Sequence, residues 1–199
     1  LALTHSQVVL RQINATESDA QIYGHLASSI IYANPSLRAD PSILSKNQRG
    51  QSGLWGYSIS GDLPIVLIRI GDPAHIELVR QLLQAHAYWR LKGLVVDLVI
   101  WNEEHSGYRQ LLHDQILDLI ASGLEANLID RPGGIFVRNT DQISSEDRIL
   151  FQAVARVIIT DNRGTLAEQI NRYRFAESIV PPFSRVKRPT VKSSPSFEL

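Results

Sequence analysis

The sequence predicts a small three-layer α/β domain with a mainly parallel sheet and additional N-terminal helices. Two observations support this prediction: three continuous apolar runs, and amphipathic helical patterns that separate them. The runs span residues 63–70, 94–101 and 135–138, and such nearly unbroken apolar character is typical of strands covered on both faces. A β-α-β-α-β-α order supplies the crossover connections that parallel strands need.

Local signals place the helices between and around these runs. Thr16 and Asp19 have the spacing of a capping box, and apolar residues at helical spacing follow them. Asp72 and Pro73 are suited to cap and begin the helix after the first strand. The predicted helical regions span residues 1–33, 74–92, 108–122, about 144–160 and 165–173.

The composition along the chain suggests three parts. Residues 1–48 are predicted to form an N-terminal helical arm, and residues 49–175 the α/β domain. Residues 176–199 are rich in proline, serine and basic residues, which predicts a linker.

The overall composition excludes several classes of function. Twenty basic residues balance twenty acidic ones, so no net field favours nucleic acid, and none is expected as a partner. The absence of cysteine excludes disulfides, thiolate metal sites and cysteine nucleophiles. No apolar run reaches the roughly 18 residues of a membrane span, so direct membrane insertion is not expected. The chain also lacks methionine, and its first residue is expected to continue from a preceding segment.

The turn after the first predicted strand argues against a nucleotide cofactor. It reads IRIGDPAH and contains neither GxGxxG nor GxxxxGK[ST], the patterns whose glycines let a backbone approach phosphates. No cofactor is therefore expected.

Polar residues after the three strands form a candidate metal site. Ligands of open α/β sheets bind at the carboxyl ends of the strands, where Asp72, Glu104, His105 and Asp141 are expected to meet. Their oxygen ligands suit Mg²⁺ and would support a metal-assisted hydrolase. Because helix capping explains such residues better, the favoured interpretation assigns no catalytic residue and no metal ligand.

A glycine-rich stretch, GQSGLWGYSISG at residues 50–61, precedes the first strand. A phosphate loop follows its strand, so these glycines are better suited to close backbone packing. Trp55 and Tyr57 lie within the stretch, and aromatic rings of this kind can stack on sugar rings. With Asn102 and Glu103 they form a candidate carbohydrate-binding edge.

Five blocks of the sequence, in order between about Asn14 and Tyr173, resemble the cyclic β-1,2-glucan synthases. They read IIYANPSLRA, GQSGLWGYSISGDLPIVLIRI, LVRQLLQAHAYWRLKGLVVDLVIWNE, RPGGIFVR and GTLAEQINR. The resemblance implies a very large bacterial inner-membrane enzyme that takes glucose from UDP-glucose and closes a β-1,2-linked chain into a ring. It places this segment near a region similar to cellobiose phosphorylase. No catalytic residue of the family maps onto the segment.

The resulting interpretation is an internal, non-catalytic structural domain of a cyclic β-1,2-glucan synthase. A β-1,2-glucan-binding module is the alternative, and the metal-assisted hydrolase is a second one. The expected partners are neighbouring domains of the parent chain and, in the alternative, β-1,2-glucan. The expected location is the cytoplasmic side of the bacterial inner membrane, as part of a membrane-anchored parent.

Overall fold

A computed structural model describes residues 2–104 and 109–171. The predicted linker at residues 176–199 lies outside the described residues, and the division of the chain near residue 48 stays a prediction. The helices are α1 (Ala2–Gln12), α2 (Glu17–Tyr32), α3 (Pro41–Leu44), α4 (Ile76–Leu91), α5 (Arg109–Ala121), α6 (Ser145–Val154) and α7 (Leu166–Asn171). The strands are β1 (Ile65–Ile70), β2 (Asp97–Asn102), β3 (Ile135–Asn139) and β4 (Val157–Thr160).

The four strands form one parallel sheet in the order β3-β2-β1-β4. The predicted α/β class and parallel pairing are confirmed. The order places β1 in the centre, between β2 and β4, and each crossover contains at least one helix. None of the helices in the described ranges is long and apolar enough to cross a membrane.

The prediction of a helix that reaches about Thr160 is wrong at its end, where a fourth strand forms. The helix α6 ends at Val154, and the VIIT run of residues 157–160 forms β4 instead. The backbone N–H of Arg156 donates to the carbonyl of Ile65, which starts the pairing with β1. All four residues of this short run are β-branched, which favours a buried strand once a pairing partner is available.

Helices cover both faces of the sheet, so the three-layer architecture is confirmed. Val66, Ile68 and Ile70 of β1 pack against apolar residues of α1, α2, α4, α5 and α7. Ile65 and Leu67 point to the opposite face and pack against α6 and the segment before β1. Side chains alternate between faces along a strand, and a continuous apolar run is needed to fill both layers.

The N-terminal helices are fixed to the sheet layer by a polar contact as well as apolar packing. Thr16 and Asp19 form the predicted capping box at the start of α2. The indole N–H of Trp89 in α4 donates to the carbonyl of Tyr23, at 2.8 Å. Tyr23 and Trp89 are both 1% exposed, so the bond lies inside the shared core.

The glycine-rich stretch folds into a short 3-10 helix at Gln51–Tyr57 that packs on α6. A Cβ atom on Gly53 would lie 2.6 Å from Cδ2 of Leu150, and Gly61 has a φ of +78°. Side chains are unfavourable at both positions, one because of space and the other because of backbone conformation. The structure therefore supports close packing as the role of these two glycines.

Candidate functional site

The strand order creates a crevice at the carboxyl ends of β1 and β4. The chain leaves β1 towards β2 on one side and returns to β1 on the other side with β4. Open α/β sheets bind their ligands at such switch points, where backbone N–H groups of the first loop face the crevice. A ligand of this architecture is therefore expected in this crevice.

A side chain of the protein itself accepts hydrogen bonds from these backbone N–H groups. Asp161 directly follows β4, and its Oδ2 accepts hydrogen bonds from the backbone N–H of Gly71, at 2.7 Å, and of Asp72, at 3.0 Å. A carboxylate thus takes the place that an anionic ligand would have against the loop after β1. Sequence reasoning missed Asp161 because it missed β4, whose end positions this residue.

Asp72 has the capping role that its position predicted. Its Oδ1 accepts a hydrogen bond from the backbone N–H of Ala74, at 2.8 Å. Its other oxygen lies 3.9 Å from Nδ1 of His75, and both side chains are largely exposed. An exposed cap of this kind stabilises the helix start and needs no metal ion.

The candidate metal set receives no support from the residues that can be described. In residues 2–104 and 109–171, no group of three or more histidine, cysteine, aspartate or glutamate side chains is placed to hold a metal ion. His105, one of the four proposed ligands, lies outside the described residues.

Trp55 and Tyr57, the aromatic half of the candidate carbohydrate edge, differ in accessibility. Trp55 is 64% exposed, and its indole N–H donates to the carbonyl of Ser60 at 3.3 Å. Tyr57 is half-buried, and its ring packs edge-on against Phe151 with 5.2 Å between centroids. The exposed indole of Trp55 is available for stacking, whereas the ring of Tyr57 is partly committed to the core.

The polar half of that edge is engaged in internal contacts. Asn102 is 5% exposed, and its side-chain oxygen accepts from the backbone N–H of Glu104 at 2.9 Å. The carboxylate of Glu103 pairs with the guanidinium of Arg69, at 2.8 Å. Of the four candidate residues, Trp55 presents the largest free surface.

A cluster of polar side chains holds Tyr57 against α6. The Tyr57 hydroxyl donates to Asp147 at 2.9 Å, and Arg49 pairs with the same carboxylate at 2.7 Å. Burial opposes ionisation of Asp147, but hydrogen bonds from Ser144 and Tyr57 and the charge of Arg49 hold its pKa below the usual value. Burial and the bond to Asp147 raise the pKa of Tyr57. This cluster anchors the 3-10 helix.

His86 of α4 and Glu125 form a buried hydrogen-bonded pair. His86 is fully buried, with Nδ1 at 2.5 Å from Oε2 of Glu125 and Nε2 at 3.0 Å from the carbonyl of Val96. Arg90 adds a contact from Nε to Oε1 of Glu125, at 3.2 Å. Nε2 must carry a proton to donate to the carbonyl of Val96. The short contact between Nδ1 and Oε2 of Glu125 therefore needs another proton, which lies on one of these two atoms. Satisfied buried pairs of this kind fix packing, and sequence reasoning gave no reason to join two residues 39 positions apart.

A second buried carboxylate starts β2. Asp97 is fully buried, and its Oδ1 accepts from the backbone N–H of Gly133 at 2.7 Å. Its Oδ2 has no hydrogen-bond partner within the described part of the chain. Burial raises the pKa of Asp97, because the charged form loses its hydration.

Comparison with known proteins adds one similarity. No family model matches the chain. The sequence is 34% identical over 173 residues, 86% of its length, to the cyclic beta-(1,2)-glucan synthase NdvB of Rhizobium meliloti (strain 1021). The chain spans only 6% of the length of that protein. The resemblance to the cyclic β-1,2-glucan synthases is thereby confirmed, and the short coverage is consistent with an internal segment.

Proposed function

We propose that this chain, which is similar over most of its length to a segment of a cyclic β-(1,2)-glucan synthase, is an internal, non-catalytic structural domain of such a synthase. The parent enzyme would make cyclic β-1,2-glucan from UDP-glucose, with the chemistry carried out elsewhere in its chain. The similarity over 86% of this chain supports membership in a parent of this kind.

The bond between Asp161 and the loop after β1 is the observation that supports a structural role. Catalytic α/β domains use the switch-point crevice to hold a ligand. Here the two N–H groups of Gly71 and Asp72 are satisfied by an internal carboxylate at 2.7 and 3.0 Å. A crevice that is occupied in this way stabilises the sheet and leaves no anion cradle for a sugar nucleotide.

An activity assay on the 199-residue chain tests the non-catalytic role. The purified chain is incubated with UDP-glucose, and separately with β-1,2-glucan and phosphate. We expect no UDP and no glucose 1-phosphate above a heat-denatured control. Release of either product in proportion to the amount of chain contradicts the proposal.

A second candidate function is that of a β-1,2-glucan-binding module, favoured by the 64% exposure of Trp55. An exposed indole face can stack on the apolar face of a pyranose ring. The proposed contact residues are Trp55, Tyr57, Asn102 and Glu103. Replacing Trp55 by alanine should abolish binding of linear glucan in a titration if this edge is the site, and unchanged affinity contradicts it.

The proposed location and partners rest on the proposed membership in a membrane-anchored parent. We propose that the domain lies on the cytoplasmic side of the inner membrane and packs against neighbouring domains of the same chain. Protease treatment of inverted and right-side-out vesicles tests the location. Cleavage within this segment is expected in inverted vesicles, and cleavage restricted to right-side-out vesicles contradicts the proposed side.

A further inference from the structure

A surface pocket of about 350 Å³ lies at the carboxyl end of β3, beside the end of the 3-10 helix. This volume is within the range of small-ligand sites, roughly 300–1,000 Å³. Its lining includes Tyr57, Ser58, Arg138, Asn139, Gln142 and Ile143. Sequence reasoning proposed Tyr57 alone of this set as a sugar contact, because residues 138–142 meet residues 57 and 58 only in the fold.

The charge of the lining indicates a neutral ligand. Arg138 is the one charged side chain among the six, and its guanidinium pairs with the carboxylate of Asp130 at 2.8 Å. The same group donates to the backbone carbonyls of Tyr57, at 2.5 Å, and Val137, at 2.7 Å. An arginine compensated in this way is a poor anchor for phosphate or carboxylate, since Asp130 balances its charge and both terminal nitrogens already contact internal acceptors.

The other polar side chains of the pocket are suited to bind hydroxyl groups of a ligand. In the parts of the chain that the structure describes, the side chains of Ser58, Asn139 and Gln142 form no hydrogen bond. A hydroxyl and two carboxamides offer both donors and acceptors, which is what vicinal sugar hydroxyls need. The half-buried ring of Tyr57 adds an aromatic surface for the C–H face of a sugar ring.

The walls of the pocket are held in place before any ligand arrives. The hydroxyl of Tyr57 is bound to Asp147, and its carbonyl is bound to Arg138. On the other wall, Arg148 donates to the carbonyls of Thr140 and Ile143. Preorganised walls reduce the entropy that binding must overcome.

We infer that this pocket binds glucosyl residues of a β-1,2-glucan chain, with Asn139, Gln142 and Ser58 bonding the hydroxyls. The inference rests on the second candidate function, from which it takes the identity of the sugar. Asn102 and Glu103 are engaged in internal contacts. The proposed polar contacts to the sugar are therefore made by side chains without a hydrogen bond in the described part of the chain.

Nuclear magnetic resonance titration of the ¹⁵N-labelled 199-residue chain with a linear β-1,2-linked glucose hexasaccharide tests the assignment. We expect shifts centred on residues 58, 139 and 142. Asn139→Ala and Gln142→Ala should each weaken binding about three- to tenfold, the effect of one neutral hydrogen bond. Asn127→Ala, an exposed asparagine on another surface, is the matched control and should leave the affinity unchanged.

The possible failures are distinguishable. Shifts that centre on residues 55, 102 and 103 contradict the pocket and retain the glucan-binding function. The absence of shifts at millimolar hexasaccharide contradicts both, and leaves the structural role as the remaining proposal. Equal shifts with an α-1,4-linked hexasaccharide contradict the assignment to β-1,2-glucan. Thermal unfolding of each variant shows that a loss of binding does not come from a loss of folding.

Discussion

Oδ2 of Asp161 lies 2.7 Å from the backbone nitrogen of Gly71, across 90 residues of sequence. The contact joins the ends of β1 and β4, the two strands at the topological switch point of the sheet. In this sheet, an internal hydrogen bond is found at the position where open α/β sheets usually bind a ligand.

Asp161→Ala should destabilise the chain by about 2–3 kcal/mol. The substitution removes an ionised acceptor and leaves the N–H groups of Gly71 and Asp72 without their partner. Urea denaturation followed by circular dichroism measures the effect. Asp161→Asn keeps an acceptor oxygen and should lose less. A change under about 0.5 kcal/mol for Asp161→Ala contradicts a structural role of this bond.

Gly53→Ala should destabilise the chain by roughly 1–3 kcal/mol, the usual range for overpacking. The added Cβ would lie 2.6 Å from Cδ2 of Leu150. Gly56→Ala is the matched control, because nothing lies within 4 Å of its added Cβ. Melting temperatures of both variants check the prediction. Equal effects at the two positions would show that loss of glycine, and not the contact with Leu150, causes the change.

His86→Ala should cost about 3–5 kcal/mol, since it leaves the buried carboxylate of Glu125 without its main partner. Chemical denaturation provides the measurement. His75→Ala is the control, because the contact of His75 with Asp72 is long and exposed and contributes little. If both histidines can be replaced at equal cost, the buried pair does not fix the packing of α4.

The free energy of unfolding should depend on pH through Asp97. The folded-state pKa of Asp97 lies above its unfolded value near 3.9. The free energy by which protonated Asp97 stabilises the folded chain is therefore fully present below about pH 4. It is lost as the pH rises through the folded-state pKa.

Asp97→Asn isolates this contribution. The variant keeps an oxygen that can accept from Gly133 and removes the buried charge. Relative to the variant, the wild-type chain should lose stability as the pH rises from about 4 through the folded-state pKa of Asp97, measured by denaturation at each pH. A difference that stays constant or grows in the opposite sense contradicts the assignment.

The features that could be predicted from sequence are local or periodic. The runs that contain β1, β2 and β3 are continuous and apolar, and Thr16, Asp19 and Asp72 have capping positions that the structure confirms. Spacing of a few residues is enough to specify such features, because their partners lie on the same element.

The features that were missed depend on contacts between distant parts of the chain. The strand β4 was predicted as helix because only Ala155 and Arg156 separate it from α6. The pairs formed by Asp161 with Gly71, and by His86 with Glu125, join residues that no local spacing relates. Without the position of β4 there was also no means to place the crevice that Asp161 fills.

The structural role of Asp161 is tested most directly by the turnover number of the proposed full-length synthase, measured for Asp161→Ala alongside its melting temperature. We expect an unchanged kcat per folded molecule and a lowered melting temperature, because the residue stabilises the domain and takes no part in chemistry. A kcat reduced a hundredfold or more, with the melting temperature unchanged, contradicts a structural, non-catalytic role.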